Sequence, residues 1–170
     1  NPKDEREASD FVENTTSMLL FATVVLTIIF FFGMPYIIQV LAPGFTDNKE
    51  AYELAVHFGK IIFPYIIFIS LAAHFASINN VHERFAAGAF APAILNISFI
   101  LSLFFLTPFV TTAGHALSYG VLIGGVLQFL YLYRAVLNFY RPRIILPVLN
   151  EKLKKFFKLF LPGVVGSGVI

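Results

Sequence analysis

The chain has 170 residues, 58% of them hydrophobic and only 13% charged, with a formal net charge of +2. A soluble domain carries about 25% charged residues, so water is excluded as the solvent for most of this surface, and so small a net charge argues against a nucleic-acid partner. Cysteine is absent, which excludes disulfides, thiolate metal sites and cysteine nucleophiles within these residues.

The apolar residues come in long blocks rather than at helical or strand spacing. A helix needs about 20 mostly apolar residues to cross a hydrocarbon core of about 30 Å. The blocks predict an all-α integral membrane fold with four complete transmembrane helices and the start of a fifth, joined by a basic amphipathic interfacial helix. All of it is read as part of one polytopic membrane domain. No basic-then-apolar signal pattern precedes the first polar stretch, and the apolar run from Leu161 to Ile170 stops abruptly. The chain therefore reads as an internal fragment of a longer protein.

Residues 1–14 are polar and expected outside the hydrocarbon. The first span covers about 18–41; Thr23 and Thr27 can bond back to their own helix, and Gly33 and Pro35 suggest a bend. Ala42-Pro43-Gly44 signals a turn. Thr46 or Asp47 is expected to cap a short helix carrying Tyr52, Val56 and Phe58, in a polar excursion ending near Lys60. The second span covers about 61–79, with Pro64 near its start and Asn79-Asn80 at its exit. A short loop with His82, Glu83 and Arg84 follows.

The third span covers about 89–109, with Pro92 placed in its first turn, where a missing N–H costs little. Residues 110–115 form an uncharged loop, and the fourth span covers about 117–134, closed by Arg134. From about 148 to 160 the pattern changes. Leu149, Leu153, Phe156, Phe157 and Phe160 make one apolar face, and Lys152, Lys154, Lys155 and Lys158 lie opposite. Such a helix lies in the membrane surface rather than across it. A truncated span opens at Pro162.

Orientation follows from the basic residues. Lys3, Arg6, Arg84, Arg134, Arg141, Arg143 and the four lysines share one side; Lys49 and Lys60 mark the other. Residue 1 and the 134–160 segment are thus expected to be cytoplasmic, with the 42–60 loop facing outward.

No charged residue falls well inside a span, so these helices show no charged pathway. His74 could contact substrate; the alternative, a neutral imidazole bonded to a neighbouring helix or reaching the interface, is favoured because no carboxylate accompanies it. Asn96, Ser98 and Gln128 could line a polar cavity, or could simply hydrogen-bond between helices at about 0.6–2 kcal/mol per contact. Gly120 and Gly124, followed by Gly125, signal close helix approach. Gly163, Gly166 and Gly168 lack the preceding strand that a dinucleotide fingerprint requires; they suit a bending helix instead. The four histidines, His57, His74, His82 and His115, are spread over both membrane faces without metal-ligand spacing. No enzyme activity, cofactor or metal site is expected.

Particular strings carry a resemblance. FPYIIFISLAA (63–73), RFAAGAFAPAILNIS (84–98) and GGVLQFLY (124–131) closely resemble the MurJ (MviN) family of bacterial lipid II flippases, and VLAPGF (40–45) and LPGVVGSGV (161–169) follow in the same order. The resemblance covers nearly the whole chain; His74, Asn79 and Glu83 depart from the family pattern. It implies membership of the multidrug/oligosaccharidyl-lipid/polysaccharide exporter superfamily, and the third to sixth helices of an N-terminal lobe plus the start of the seventh, the family's bending element.

The resemblance further implies transport of the undecaprenyl-pyrophosphate-linked peptidoglycan precursor, lipid II, from the cytoplasmic to the outer leaflet of the bacterial inner membrane by alternating access. The implied partners are lipid II, membrane lipids and the remaining helices of the same protein. The cavity arginines that hold pyrophosphate in the family lie on helices outside this match. Two other readings are an exporter of another polyprenyl-linked oligosaccharide or drug, and a membrane-embedded enzyme acting on lipid-linked sugars. The enzyme would need an acidic or histidine cluster at the cytoplasmic interface, where only the tail residues Asp4, Glu5 and Asp10 are available.

Overall fold

The structure, a computed structural model, describes residues 2–45 and 47–146, with side chains from Arg6 onward. The described residues are all-α: α1 (Pro2–Leu41), α2 (Lys49–Ile62), α3 (Tyr65–Val81), α4 (Phe85–Leu106) and α5 (Ala113–Val136), with short 3-10 turns at Pro43–Phe45 and Thr107–Phe109. Four stretches are long and apolar enough to cross a membrane: Arg6–Leu41, Lys49–Val81, Phe85–Phe109 and Ala113–Val136. The four predicted spans fall one on each. The interfacial helix at 148–160, the truncated span from 162, and the residues Gly163, Gly166, Gly168, Lys152, Lys154, Lys155 and Lys158 lie outside the described residues.

The chain divides into two compact units; among the described residues one holds 2–21 with 142–146 and the other holds the rest from 22 to 141. In the first, the polar head predicted to lie outside the hydrocarbon is itself helical. Thr15, Thr16 and Ser17 donate to the carbonyls of Phe11, Val12 and Glu13 at 2.7–2.8 Å. These bonds satisfy hydroxyls that would otherwise weaken a buried helix surface. Ser17 Oγ also accepts the Ile145 N–H at 2.9 Å, tying the segment after α5 to the start of the chain.

The second unit holds the rest. Helix α1 runs unbroken through Gly33 and Pro35 to Leu41. Tyr52 of α2 donates its hydroxyl to the Pro35 carbonyl at 2.9 Å, and Gln39 Nε2 donates to the same hydroxyl at 3.3 Å. The cap of α2 is Asn48, not Thr46 or Asp47: its extended backbone lets Oδ1 accept the Ala51 N–H at 3.1 Å, the geometry an N-cap needs. Helix α2 lies against α1 where Met34 crosses Gly59 and the Phe30 and Phe63 rings stack at 4.4 Å. Pro64 then breaks the backbone ladder, because it has no N–H to give. Phe63 closes α2 by donating to the Gly59 carbonyl, and Ile66 and Ile67 reopen the helix on the Phe63 and Pro64 carbonyls. The Lys49–Val81 stretch of 33 residues measures about 50 Å. That exceeds the hydrocarbon thickness, so its polar α2 half is free to lie outside.

The turn from α3 to α4 explains where the third span starts. Glu83 N–H donates to the Asn80 carbonyl at 3.0 Å and Arg84 N–H to the Asn79 carbonyl at 2.9 Å, the paired bonds of a Schellman cap. Glu83 sits at the left-handed position of that cap, φ 59°, where glycine is usual because a Cβ is penalised. The cap lets α4 begin at once, at Phe85 rather than near 89. Pro92 therefore stands in the helix interior, not in the first turn, and leaves the Gly88 carbonyl without its usual donor. Replacing Glu83 by glycine is expected to stabilise the protein by about 1 kcal/mol, read as a raised melting temperature of the full-length protein in detergent.

Helix α5 also begins earlier than predicted, at Ala113 rather than near 117, because Thr112 caps it by accepting the His115 N–H. The three helices α3, α4 and α5 pack together around Ala72, Phe75, Ala91, Leu132 and Val136. Beyond α5, Phe139 turns back beneath the α3–α4 turn. The His82 ring lies 4.1 Å from it and the Arg84 guanidinium 5.2 Å above it.

Candidate functional site

The seam between α4 and α5 is made of residues too small to hold the helices apart. A Cβ on Gly120 would stand 2.8 Å from Ser102 Cβ, and one on Gly124 would stand 3.2 Å from Ser98 Cβ and 2.7 Å from a Leu95 methyl. One on Gly125 would meet the Tyr65 ring at 2.5 Å. Gly120 and Gly124 thus admit α4, and Gly125 admits α3. Close approach of this kind is what drives helix association where lipid is as apolar as leucine.

Polar groups pin the same bundle. Gln128, 3% exposed, donates Nε2 to the Ala91 carbonyl of α4 at 2.8 Å. Ser98 donates within its own helix to the Ile94 carbonyl at 2.8 Å. Asn79, fully buried, donates Nδ2 to the Phe75 carbonyl at 2.8 Å and reaches the Leu132 carbonyl of α5 at 3.5 Å. Gln128 Oε1 and Asn79 Oδ1 are buried acceptors with no hydrogen-bond partner among the described residues, an arrangement that costs free energy unless a water or another helix supplies a donor.

Of the four residues considered for a substrate cavity, the structure brings together only Ser98 and Gln128, both buried on the α4–α5 bundle contacts. Asn96 is exposed on α4, off that seam, and His74 is half-buried on α3 with its ring 5.8 Å from Phe75.

At the α2 end lies a grouping that spacing along the chain did not reveal. The His57 ring of α2 is 5.1 Å from the His115 ring of α5, and Phe58 meets His115 edge-on at 4.9 Å. Glu50, Glu53, Leu54 and His57 line one side of an open cavity of about 390 Å³, with Thr111, Thr112 and His115 opposite. The separation of the two histidines by more than fifty residues in sequence hid the pairing. Two acids and two imidazoles facing one space can hold a cation.

Comparison with known proteins adds to this geometry. The family model described as Lipid II flippase MurJ matches residues 1–170. The chain is similar to the Lipid II flippase MurJ of Burkholderia cenocepacia, 36% identical over 70% of this chain and 23% of that protein. It is similar to the Probable lipid II flippase MurJ of Buchnera aphidicola subsp. Schizaphis graminum, 34% identical over 97% of this chain and 32% of the relative. The Probable lipid II flippase MurJ of Rhizobium meliloti is 34% identical over 95% of this chain and 31% of its own length. The chain spans between about a quarter and a third of the length of these curated relatives.

Proposed function

Because this multi-pass membrane chain belongs to the MurJ family of lipid II flippases, we propose that it forms part of a transporter that moves the undecaprenyl-pyrophosphate-linked peptidoglycan precursor from the cytoplasmic to the outer leaflet of the bacterial inner membrane. The observation that carries this reading is the family match across residues 1–170. The chemistry is transport, without bond making or breaking. A sugar–peptide pyrophosphate cannot enter hydrocarbon, because unpaired charge and polar groups there cost many kcal/mol. It needs a hydrated passage between two halves of a protein that open alternately, while its lipid tail stays in the bilayer.

In this reading α3, α4 and α5 are a stiff wall. Their glycine and serine contacts hold the bundle together, and Asn96 and His74, outside the α4–α5 seam, are the candidates to face the passage. Ser98 and Gln128 serve the wall itself. Residue 1, the α3–α4 turn and the 134–160 segment lie on the cytoplasmic side, and α2 lies outside. Exposed apolar side chains such as Phe32, Phe104 and Phe109, each at least 75% exposed, meet membrane lipids and the remaining helices of the same protein. The glycines at 163, 166 and 168 would let the next helix bend, and the lysines at 152, 154, 155 and 158 would rest on the membrane surface.

Residues 1–170 alone are expected not to transport, since the passage needs its opposite wall; lipid II flipping by this stretch in liposomes would contradict that. The whole reading is tested with the purified full-length protein in liposomes carrying fluorescent lipid II. Protein-dependent loss of protection from a membrane-impermeant quencher supports it. Movement of other polyprenyl-linked oligosaccharides without lipid II would favour a different exporter of the superfamily.

A further inference from the structure

We propose that His57 and His115 form a binding site for one divalent transition-metal ion of the zinc class, which would staple α2 to α5. Two imidazoles sharing a tetrahedral ion, each with its nitrogen at about 2.0–2.1 Å from the metal, have ring centres about 5 Å apart. The His57 and His115 centres are 5.1 Å apart and their planes are inclined by 53°, so the two rings already stand at the separation a shared ion requires.

The His115 ring is also anchored from the start of its own helix. Its Nδ1 lies 2.9 Å from Thr112 Oγ1. With the proton on Nδ1 donated to that hydroxyl, Nε2 is left as the lone-pair donor, the second-shell arrangement that fixes a ligand histidine. Phe58 supports the ring from the side at 4.9 Å, and is itself seated against Gly114, where a Cβ would stand 2.5 Å from its ring.

The remaining ligands are at hand. Among the described residues no three histidine or carboxylate side chains already stand as a metal-ligand group, so a third must move in. Glu53 lies one helical turn before His57 and lines the same cavity. It now approaches Lys49 at 3.8 Å, with both side chains largely exposed, a weak pairing that leaves its carboxylate free to turn. Water completes the shell. Imidazole with carboxylate suits zinc, copper or nickel, whereas magnesium and calcium prefer all-oxygen shells.

The test uses the untagged full-length protein in detergent, stripped with chelator and titrated with Co²⁺, then Zn²⁺. The expected result is the visible absorption of one tetrahedral Co²⁺ per chain, displaced by Zn²⁺. His57→Ala and His115→Ala should each abolish it, Thr112→Val should weaken binding about tenfold, and His74→Ala and His82→Ala should leave it unchanged. His57→Cys offers a thiolate in place of the ring and should retain binding, so a monodisperse His57→Cys protein without the signal counts against the site, as does failure of the wild type to bind. A signal surviving both histidine-to-alanine changes would overturn the proposal.

Discussion

Replacing Gly120 by leucine in the full-length protein should destabilise it by about 3 kcal/mol or more and abolish transport with it. Overpacking a tight contact costs about 1–3 kcal/mol even for a few methylenes, and here the obstacle cannot step aside. The new Cβ would lie 2.8 Å from Ser102 Cβ and 3.4 Å from the Ser98 carbonyl, atoms fixed to the α4 backbone, so α4 itself would have to move. Gly59 makes the useful contrast. Its Cβ would meet the Met34 sulfur at 2.5 Å, but that atom ends a flexible side chain, and Gly59→Ala should cost much less. Gly33→Ala meets only an Ile37 methyl at 3.9 Å and should be neutral or slightly stabilising through helix propensity. Thermal unfolding of the three variants in one detergent measures the order.

Phe75→Ala is the second large effect, expected at about 2–3 kcal/mol. The side chain is 2% exposed and lies within 6 Å, ring to ring, of Phe129, Tyr133 and His74. In water such a truncation costs about 3–5 kcal/mol. Lipid removes much of the transfer part of that cost, since hydrocarbon is as apolar as the protein interior, and leaves the cavity and the lost ring contacts. Phe104, 80% exposed on α4, loses only surface, and Phe104→Ala should shift stability of the bundle by less than about 0.5 kcal/mol. Equal shifts for the two would show that the α3–α5 contacts do not hold the bundle together.

The spans were legible in the sequence because long apolar blocks have one physical use. Their ends were less so. Hydropathy reports where hydrocarbon begins, not where a helix begins: α5 starts before its apolar stretch, and α4 starts four residues ahead of the expected position. For α4 the reason is the Glu83 left-handed cap, unexpected at a residue with a Cβ; for α5 it is the Thr112 hydroxyl beneath a polar first turn. The spacing of Gly120 and Gly124 predicts close helix approach, and in the structure a Cβ on either would meet Ser102, Ser98 or Leu95 of α4. In sequence Asn79 reads as an exit signal and a departure from the family pattern, yet it is fully buried against Leu132, because the α3–α4 turn tucks that end under α5.

The candidate site was harder to read for a physical reason. A polar residue in an apolar helix looks the same whether it faces another helix or a passage. Gln128 spends its donor on Ala91, whereas Asn96 is left exposed, and only the packing separates the two. Likewise, His57 and His115 meet across two helices that hairpin order alone does not align.

What the full-length protein moves in a living cell is the most direct measurement. The protein would be expressed in a bacterium depleted of its own lipid II flippase, and survival scored together with lipid II in the outer leaflet. Rescue of both, at membrane levels matched to the native protein, is the predicted result. Correct insertion at those levels with neither survival nor outer-leaflet lipid II restored would contradict the account.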